Sequence, residues 1–264
     1  MNMVLFCLKE KTVDKKTFHP LILSLAFGFL FFSLPVSADR IQIAVASNFA
    51  GAIKHIAKQF EADTGHKVNL ILGSTGKHYA QIVNGAPFDA FFAADTKRPE
   101  LLDTQGLIQA GSRFTYAIGK LVLWSPKTAY INQQLSILEQ ASFLHLAIAS
   151  PKLAPYGKAA QEVLQQLGLW KKLQVKMVRG ENINQAFQFV KSGNAELGFV
   201  AYSQIISANK KIDGSYWVIP QNSYTPINQQ AVLLKKSQAA ADFLSYIKSA
   251  AGIKIIHDFG YGTL

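Results

Sequence analysis

Residues 41–65, IQIAVASNFAGAIKHIAKQFEADTG, decide the fold. The first seven form a short apolar run with β-branched residues, which reads as a buried strand. Directly behind it, Ala52, Ile53, Ile56, Ala57 and Phe60 recur at helical spacing and Gly65 closes the pattern. That predicts an amphipathic helix over FAGAIKHIAKQFEADTG. The same order continues downstream, with strands expected at 67–72 (KVNLIL) and 89–94 (DAFFAA) and helices at 78–85 and 98–106. Strands alternating with helices of this length predict parallel sheets of the α/β class.

A second block repeats the style. HLAIAS (145–150), KMVRG (176–180) and AELGFVAYS (195–203) read as strands, and 157–168 and 182–193 as helices between them. Between the blocks, FTYAIGKLVLWS (114–125) is long and β-rich, as expected of a strand crossing from one lobe to another. A return crossing is expected at about 223–235 (SYTPINQQAVLLK), followed by two helices, 239–249 and 251–260. The chain is therefore expected to form two α/β lobes, each a mostly parallel sheet flanked by helices. Lobe 1 should hold 39–118 and 227–264, with lobe 2 holding 119–226. There is no internal repeat and no low-complexity tract.

Outward from the blocks, the N-terminus carries Lys9, Lys11, Lys15 and Lys16, then the apolar run PLILSLAFGFLFFSLP (20–35), then Val36-Ser37-Ala38. A basic region, a short greasy core and small residues are the marks of a cleaved secretory signal, expected here over 1–38. The alternative, a membrane anchor, fits less well: the core is broken by Pro20, Gly28 and Pro35, and a span needs roughly 20 residues. The one cysteine, Cys7, leaves with the leader, so the exported chain has no thiol for a disulfide, a zinc cluster or a nucleophile.

Loss of the leader leaves 23 Lys and Arg against 14 Asp and Glu, a formal charge of +9 in place of +11. The lysines are scattered over helices and strand ends, with no run of five or six and no nucleic-acid signature. They read as solvated helix faces, or as a weak field that steers anions. No nucleic-acid partner is expected.

Three strand-to-helix junctions carry unusual residue choices: Ala46-Ser47-Asn48, Leu72-Gly73-Ser74-Thr75-Gly76-Lys77, and Ala154-Pro155-Tyr156-Gly157. At the first, Ser47 and Asn48 are good N-caps, and capping alone would explain them. The functional reading is that ligands of open α/β sheets bind at the carboxyl ends of strands, where helix starts offer unpaired N–H groups and partial positive charge. The triplets supply hydroxyl, amide and N–H donors with no Asp or Glu, which suits a fully deprotonated dianion, whereas phosphate keeps a proton and would welcome an acceptor. Glu181 lies close to a candidate loop and weakens that point. Arg179 and Glu181, in V-R-G-E-N, read as a solvated pair more readily than as an active-site pair.

The six histidines form no metal or catalytic motif, and no G-x-S-x-G is present. His55, His66 and His257 read as surface or helix-end residues, with His78 in the first turn after Lys77. No catalytic residue, cofactor or metal cation is expected.

Over essentially the whole exported chain, IAVASNFAGAIKHIAKQFEADTG, GSTGKHYAQIVNGAPFDAFFAADTKRPELL, LAIASPKLAPYGKAAQEVLQQLG and LGFVA resemble the periplasmic molybdate-binding proteins of ABC importers. The GSTGK…QI-NGAP-D-F--AD stretch is the most specific part. The resemblance implies a two-lobed periplasmic-binding-protein fold with a molybdate or tungstate oxyanion in the interlobe cleft, held without a counter-cation. Carried over by position, the ligands would be Ser47, Asn48, Ser74 and Thr75 from one lobe and Tyr156 and the backbone of Ile183 from the other. It further implies an inner-membrane ABC permease as partner, a periplasmic location and a monomer. Where some relatives carry a ligand tyrosine, this chain has Ala201, with Tyr202 one residue later and so directed to the other face of a strand. Tyr156 is expected to supply the phenol instead. A receptor for sulfate or ferric iron on the same fold, an exported enzyme, or an adhesive protein are the other classes in view.

Overall fold

The computed structural model describes residues 38–131, 135–206 and 212–263. The expected leader lies, apart from Ala38, outside the described residues. From Ala38 onward the chain forms one compact unit built on two five-stranded sheets.

The chain first lays down β1 (Arg40–Ala46), α1 (Ala50–Thr64), β2 (Lys67–Gly73), α2 (Thr75–Val83), β3 (Ala90–Phe92), α3 (Lys97–Thr104) and β4 (Phe114–Gly119). It then crosses to the second sheet with β5 (Leu121–Ser125), α4 (Ser136–Gln140), β6 (Leu146–Ala149), α5 (Pro155–Gln166), α6 (Trp170–Leu173), β7 (Met177–Gly180), α7 (Ile183–Lys191), β8 (Leu197–Ala201), α8 (Tyr202–Ile205) and β9 (Ser215–Val218). Finally β10 (Ile227–Leu233), α9 (Gln238–Lys248) and α10 (Ala250–Asp258) return to the first sheet. The strand orders are β2-β1-β3-β10-β4 and β7-β6-β8-β5-β9.

Each sheet is mixed. The βα units pair in parallel (β2, β1, β3 in the first sheet; β7, β6, β8 in the second), while β10 and β5 run antiparallel to both of their neighbours. The two reversed strands are the ones made from the crossing segments, which enter their sheets from the opposite end. The segment 114–125, read as one long strand, is in fact two: it breaks at Lys120, with β4 in one sheet and β5 in the other.

The opening stretch folds as its pattern predicts. Helix α1 buries Ala52, Ile53, Ile56, Ala57 and Phe60, and Gly65 caps its end with φ +78°, a left-handed conformation cheap only for glycine. These residues join a core with Ile41, Ile43 and Val45 of β1 and with Phe243, Leu244, Ile247 and Ile256 from the last two helices. The C-terminus is tied back by a bridge between Ile118 and Gly262. The second sheet has its own core around Leu123, Ile148, Phe199 and Val163.

Register sets where the loops emerge. Ala46 lies level with Gly73, and Val45 with Phe92, so the loops opening at Ser47, Ser74 and Ala93 leave the first sheet side by side. In the second sheet Ala149 lies level with Gly180, which places the Pro155 and Asn182 turns together in the same way.

Candidate functional site

Ser47, Asn48, Ser74, Thr75, Tyr156 and Ile183 all line one small cavity, together with Ala46, Gly73, Ala94, Ala154, Pro155 and Asn182. No more than about 180 Å³ lies between the lining atoms. A space of this size, part of it open to solvent, suits a compact ion and not a metabolite.

Each side chain is set by the start of a helix. Ser74 is the N-cap of α2: its backbone is extended (φ −82°, ψ 144°) and its Oγ accepts from Lys77 N–H at 3.4 Å. Thr75 follows as the first helical residue, and its Oγ1 accepts from Ala94 N–H at 3.0 Å. Both hydroxyl oxygens thus accept a backbone N–H, leaving both protons to be given elsewhere. Ser47 opens the short 3-10 turn that feeds α1; its Oγ donates to Asn182 Oδ1 at 3.1 Å and lies 3.4 Å from Asn184 N–H. Asn182 caps α7, accepting from Asn184 and Gln185 N–H at 3.0 and 3.1 Å. Ile183, the first residue of that helix, has an N–H with no acceptor inside the helix. Tyr156 is the second residue of α5, behind Pro155, and is 1% exposed.

Four helix starts thus meet at this cavity, and no acidic or basic side chain lines it. Each start carries roughly half a positive charge and unpaired N–H groups, so the cavity favours an anion without a counter-charge. Among the described residues, no cluster of His, Cys, Asp and Glu is able to hold a metal ion. Burial pushes the Tyr156 phenol well above its ordinary range, assisted by Tyr261, Tyr116 and Tyr224, so it keeps its proton and acts as a donor.

The cavity closes where the two sheets' loops touch. Besides Ser47–Asn182, Lys77 Nζ pairs with Glu181 at 3.2 Å, Gly76 N–H donates to Leu153 O at 2.8 Å, and an Arg98 guanidinium N–H donates to Lys152 O at 3.0 Å. Glu181 is therefore occupied by Lys77 across the cleft, and the solvated pair expected with Arg179 does not form. Arg179 instead lies 5.7 Å over the Trp170 ring. Tyr202 does not line the cavity; its ring packs beside Tyr216, with the Lys120 ammonium 5.9 Å away.

Sequence reasoning missed the layer behind the cavity. Asn48 Nδ2 donates to Gln229 Oε1 at 2.8 Å and to Tyr261 Oη at 3.0 Å, while Gln229 Nε2 lies 3.4 Å from Tyr156 Oη. Gln229 is fully buried in β10, on the same side as Ile227 and Ala231. A glutamine at a core-facing position of an alternating strand was the available signal. His78 lies in the first turn of α2 as expected and is 2% exposed, with Nε2 3.2 Å from Val45 O and Nδ1 3.1 Å from Gln81 Oε1, and it packs against Phe88 and Phe91 outside the cavity. Gly73 makes room for it, since a Cβ there would sit 2.8 Å from Nε2.

Burial lowers the His78 pKa below its ordinary 6.5, against the raising effect of its two hydrogen bonds. The unfolded chain then takes up this proton more readily than the folded one. Stability is fully present above about pH 6.5 and is lost as the pH falls below it. The melting temperature of the parent should therefore drop more between about pH 7.5 and 5.5 than that of His78→Gln. Equal drops in the two proteins would remove His78 as the cause.

The description "bacterial extracellular solute-binding protein" matches residues 41–262. The molybdate-binding protein ModA of Azotobacter vinelandii is 49% identical over 245 residues, 92% of this chain and 96% of that protein. ModA of Rhodobacter capsulatus is 45% identical over 234 residues, 88% and 91% of the two chains. The solved structure of the Azotobacter vinelandii periplasmic molybdate-binding protein superposes with a TM-score of 0.82 at 47% identity, covering 85% of this chain and 99% of that one. With its two mixed sheets and the cleft between their strand ends, the chain belongs to the bacterial extracellular solute-binding proteins.

Proposed function

We propose that this chain captures molybdate, or tungstate, in the periplasm and hands it to an ABC permease in the inner membrane, without catalysing a reaction. The observation that carries the reading is the cavity itself: hydroxyls and N–H groups from four helix starts, with no charged side chain among them. The anion is held by the Ser74, Thr75 and Tyr156 hydroxyls, by the Ser47 hydroxyl once its proton turns from Asn182 Oδ1 to the ion, and by main-chain N–H groups at Asn48 and Ile183. The Asn48 amide nitrogen is already committed to Gln229 and Tyr261, so Asn48 acts through its backbone. Both named ModA relatives are molybdate-binding proteins, which supports the choice of ion.

The moving bodies are 39–118 with 227–264, and 119–226. The anion meets one of them first and stabilises closure by contacts that only the closed state makes. The closed surface is what the permease reads, and the complex acts as a monomer.

Titrating the purified protein with molybdate, tungstate, sulfate and phosphate tests the reading. A ligand that binds only the folded state at a hundred times its Kd stabilises by about 2.7 kcal/mol, a rise of roughly 5–10 °C in melting temperature. Molybdate and tungstate should produce it and phosphate should not. A rise with sulfate or phosphate alone would transfer the site to another oxyanion. Sulfate is the one other ligand the donor set favours, being a dianion of the same form.

A further inference from the structure

We infer that Gln229 is a positioning residue for the anion site, which fixes the direction of the hydrogen bonds behind it so that the Tyr156 hydroxyl can only donate toward the ligand. The inference rests on the reading of Tyr156 as a ligand residue.

The direction follows from one group that cannot donate. The main-chain carbonyl of Asn48 lies 2.8 Å from Tyr261 Oη, and Ser203 Oγ lies 3.1 Å from the same carbonyl and 2.9 Å from Tyr261 Oη. Two oxygens at 2.8 Å need a proton between them, and the carbonyl has none, so Tyr261 spends its only proton there. Its oxygen then faces the Asn48 side chain purely as an acceptor. The amide atom opposite it must be the nitrogen, which is the orientation present, with Nδ2 at 3.0 Å.

The same nitrogen lies 2.8 Å from Gln229, so the Gln229 atom facing it must be the carbonyl oxygen. Tyr116 Oη is compatible with this, lying 3.0 Å from that oxygen and 3.2 Å from the Ala93 carbonyl, with one proton shared between the two acceptors. With Oε1 turned to Asn48 and Tyr116, Nε2 is left to face Tyr156 Oη at 3.4 Å. Tyr156 receives a hydrogen bond from behind, and its own proton is free to point into the cavity. The cost of this arrangement is visible: Asn48 Oδ1 is buried without a partner, which no network free to reverse would accept.

The backbone is shaped to make the chain of contacts. Between β4 and β10 the register slips: Gln229 lies opposite Ala117 and Gln230 opposite Thr115, so Tyr116 is the extra residue of a bulge. Bulges re-aim side chains, and here Tyr116 and Gln229 meet instead of facing opposite sides of the sheet. Gln229 and Asn48 come from the first sheet and its loops, and Tyr156 from a helix that follows the second. The phenol is therefore given its direction only when the two halves are together.

A double-mutant cycle tests this. Calorimetry with sodium molybdate should find Gln229→Met weakened about tenfold in the parent but less than about twofold in a Tyr156→Phe background, because the residue acts through the phenol. Equal losses in both backgrounds would overturn the inference while leaving the site reading intact. A parent that binds no molybdate would sink both. A second readout is discrimination against hydrogen phosphate. Without Nε2 behind it, the Tyr156 oxygen is free to accept the proton that phosphate carries, so the molybdate-to-phosphate preference should narrow about tenfold in Gln229→Met, measured by competition. An unchanged preference would show that Gln229 only fills space.

Discussion

Tyr156→Phe is expected to weaken molybdate binding roughly ten- to a hundredfold while the fold survives. A hydrogen bond to a charged partner contributes about 1.5–3 kcal/mol, and every 1.4 kcal/mol is tenfold in affinity. Phenylalanine keeps the ring that fills this fully buried position, so no cavity is left. It does leave Gln229 Nε2 without its acceptor, at a cost of about 1–3 kcal/mol that should appear as a lower melting temperature of the ligand-free protein. Ser47→Ala should fall in the same range of affinity loss, because it also removes the Ser47–Asn182 bond across the cleft. Calorimetry that finds both variants binding like the parent would show that the anion sits elsewhere.

Local chemistry was readable in part: Gly65 as a helix stop and the run IQIAVA as a strand follow from residue type and period, whereas capping, read at Ser47 and Asn48, falls instead to Ser74. The convergence of Ser47, Ser74, Tyr156 and Ile183 followed from a general property of α/β sheets together with a resemblance, and register delivered it, because paired strands end level. The choice of partners was not readable. Asn48 meets Gln229 and Tyr261 across 181 and 213 residues of chain, and composition carries no information on such pairings. Glu181 looked like a neighbour's partner and instead reaches Lys77 on the other side of the cleft. His78 was readable only as a residue of the first turn after Lys77; that it is buried against Phe88 and Phe91 depends on packing that the local sequence does not carry.

The break at Lys120 shows the same limit from another side. Twelve residues rich in β-formers read as one strand, although Gly119 and Lys120 at their middle are poor β-formers and mark the break. What divides them is that Gly119 pairs with Ile227 in one sheet while Leu121 pairs with Ala201 in the other. The single residue between them is a connection between the halves, and the closure proposed above would be accommodated there and in the return segment between β9 and β10. A crossing this short leaves little freedom, which favours rigid-body closure of preformed lobes over local ordering of loops.

Gly119 itself carries the second large prediction. It ends β4, and a Cβ at this position would run into Tyr156 Oη, with Tyr156 Cζ at 2.9 Å and Gln229 Nε2 at 2.8 Å. Both neighbours are tips of side chains, which elsewhere would swing aside, but Tyr156 is 1% exposed and Gln229 is fully buried. Neither has space to move into without displacing the other. Gly119→Ala should therefore push the phenol out of line, destabilise the fold by about 1–3 kcal/mol as overpacked cores do, and weaken molybdate binding by about as much as Tyr156→Phe, roughly ten- to a hundredfold. Its signature is the ratio of the two effects. Loss of stability alone, with affinity retained in the folded fraction, would mean that the chain relaxes by moving β4 and that Tyr156 keeps its place. Loss of affinity that Tyr156→Phe does not deepen would show that both substitutions remove the same contact, the expected result if the phenol reaches the ion only because this residue has no side chain.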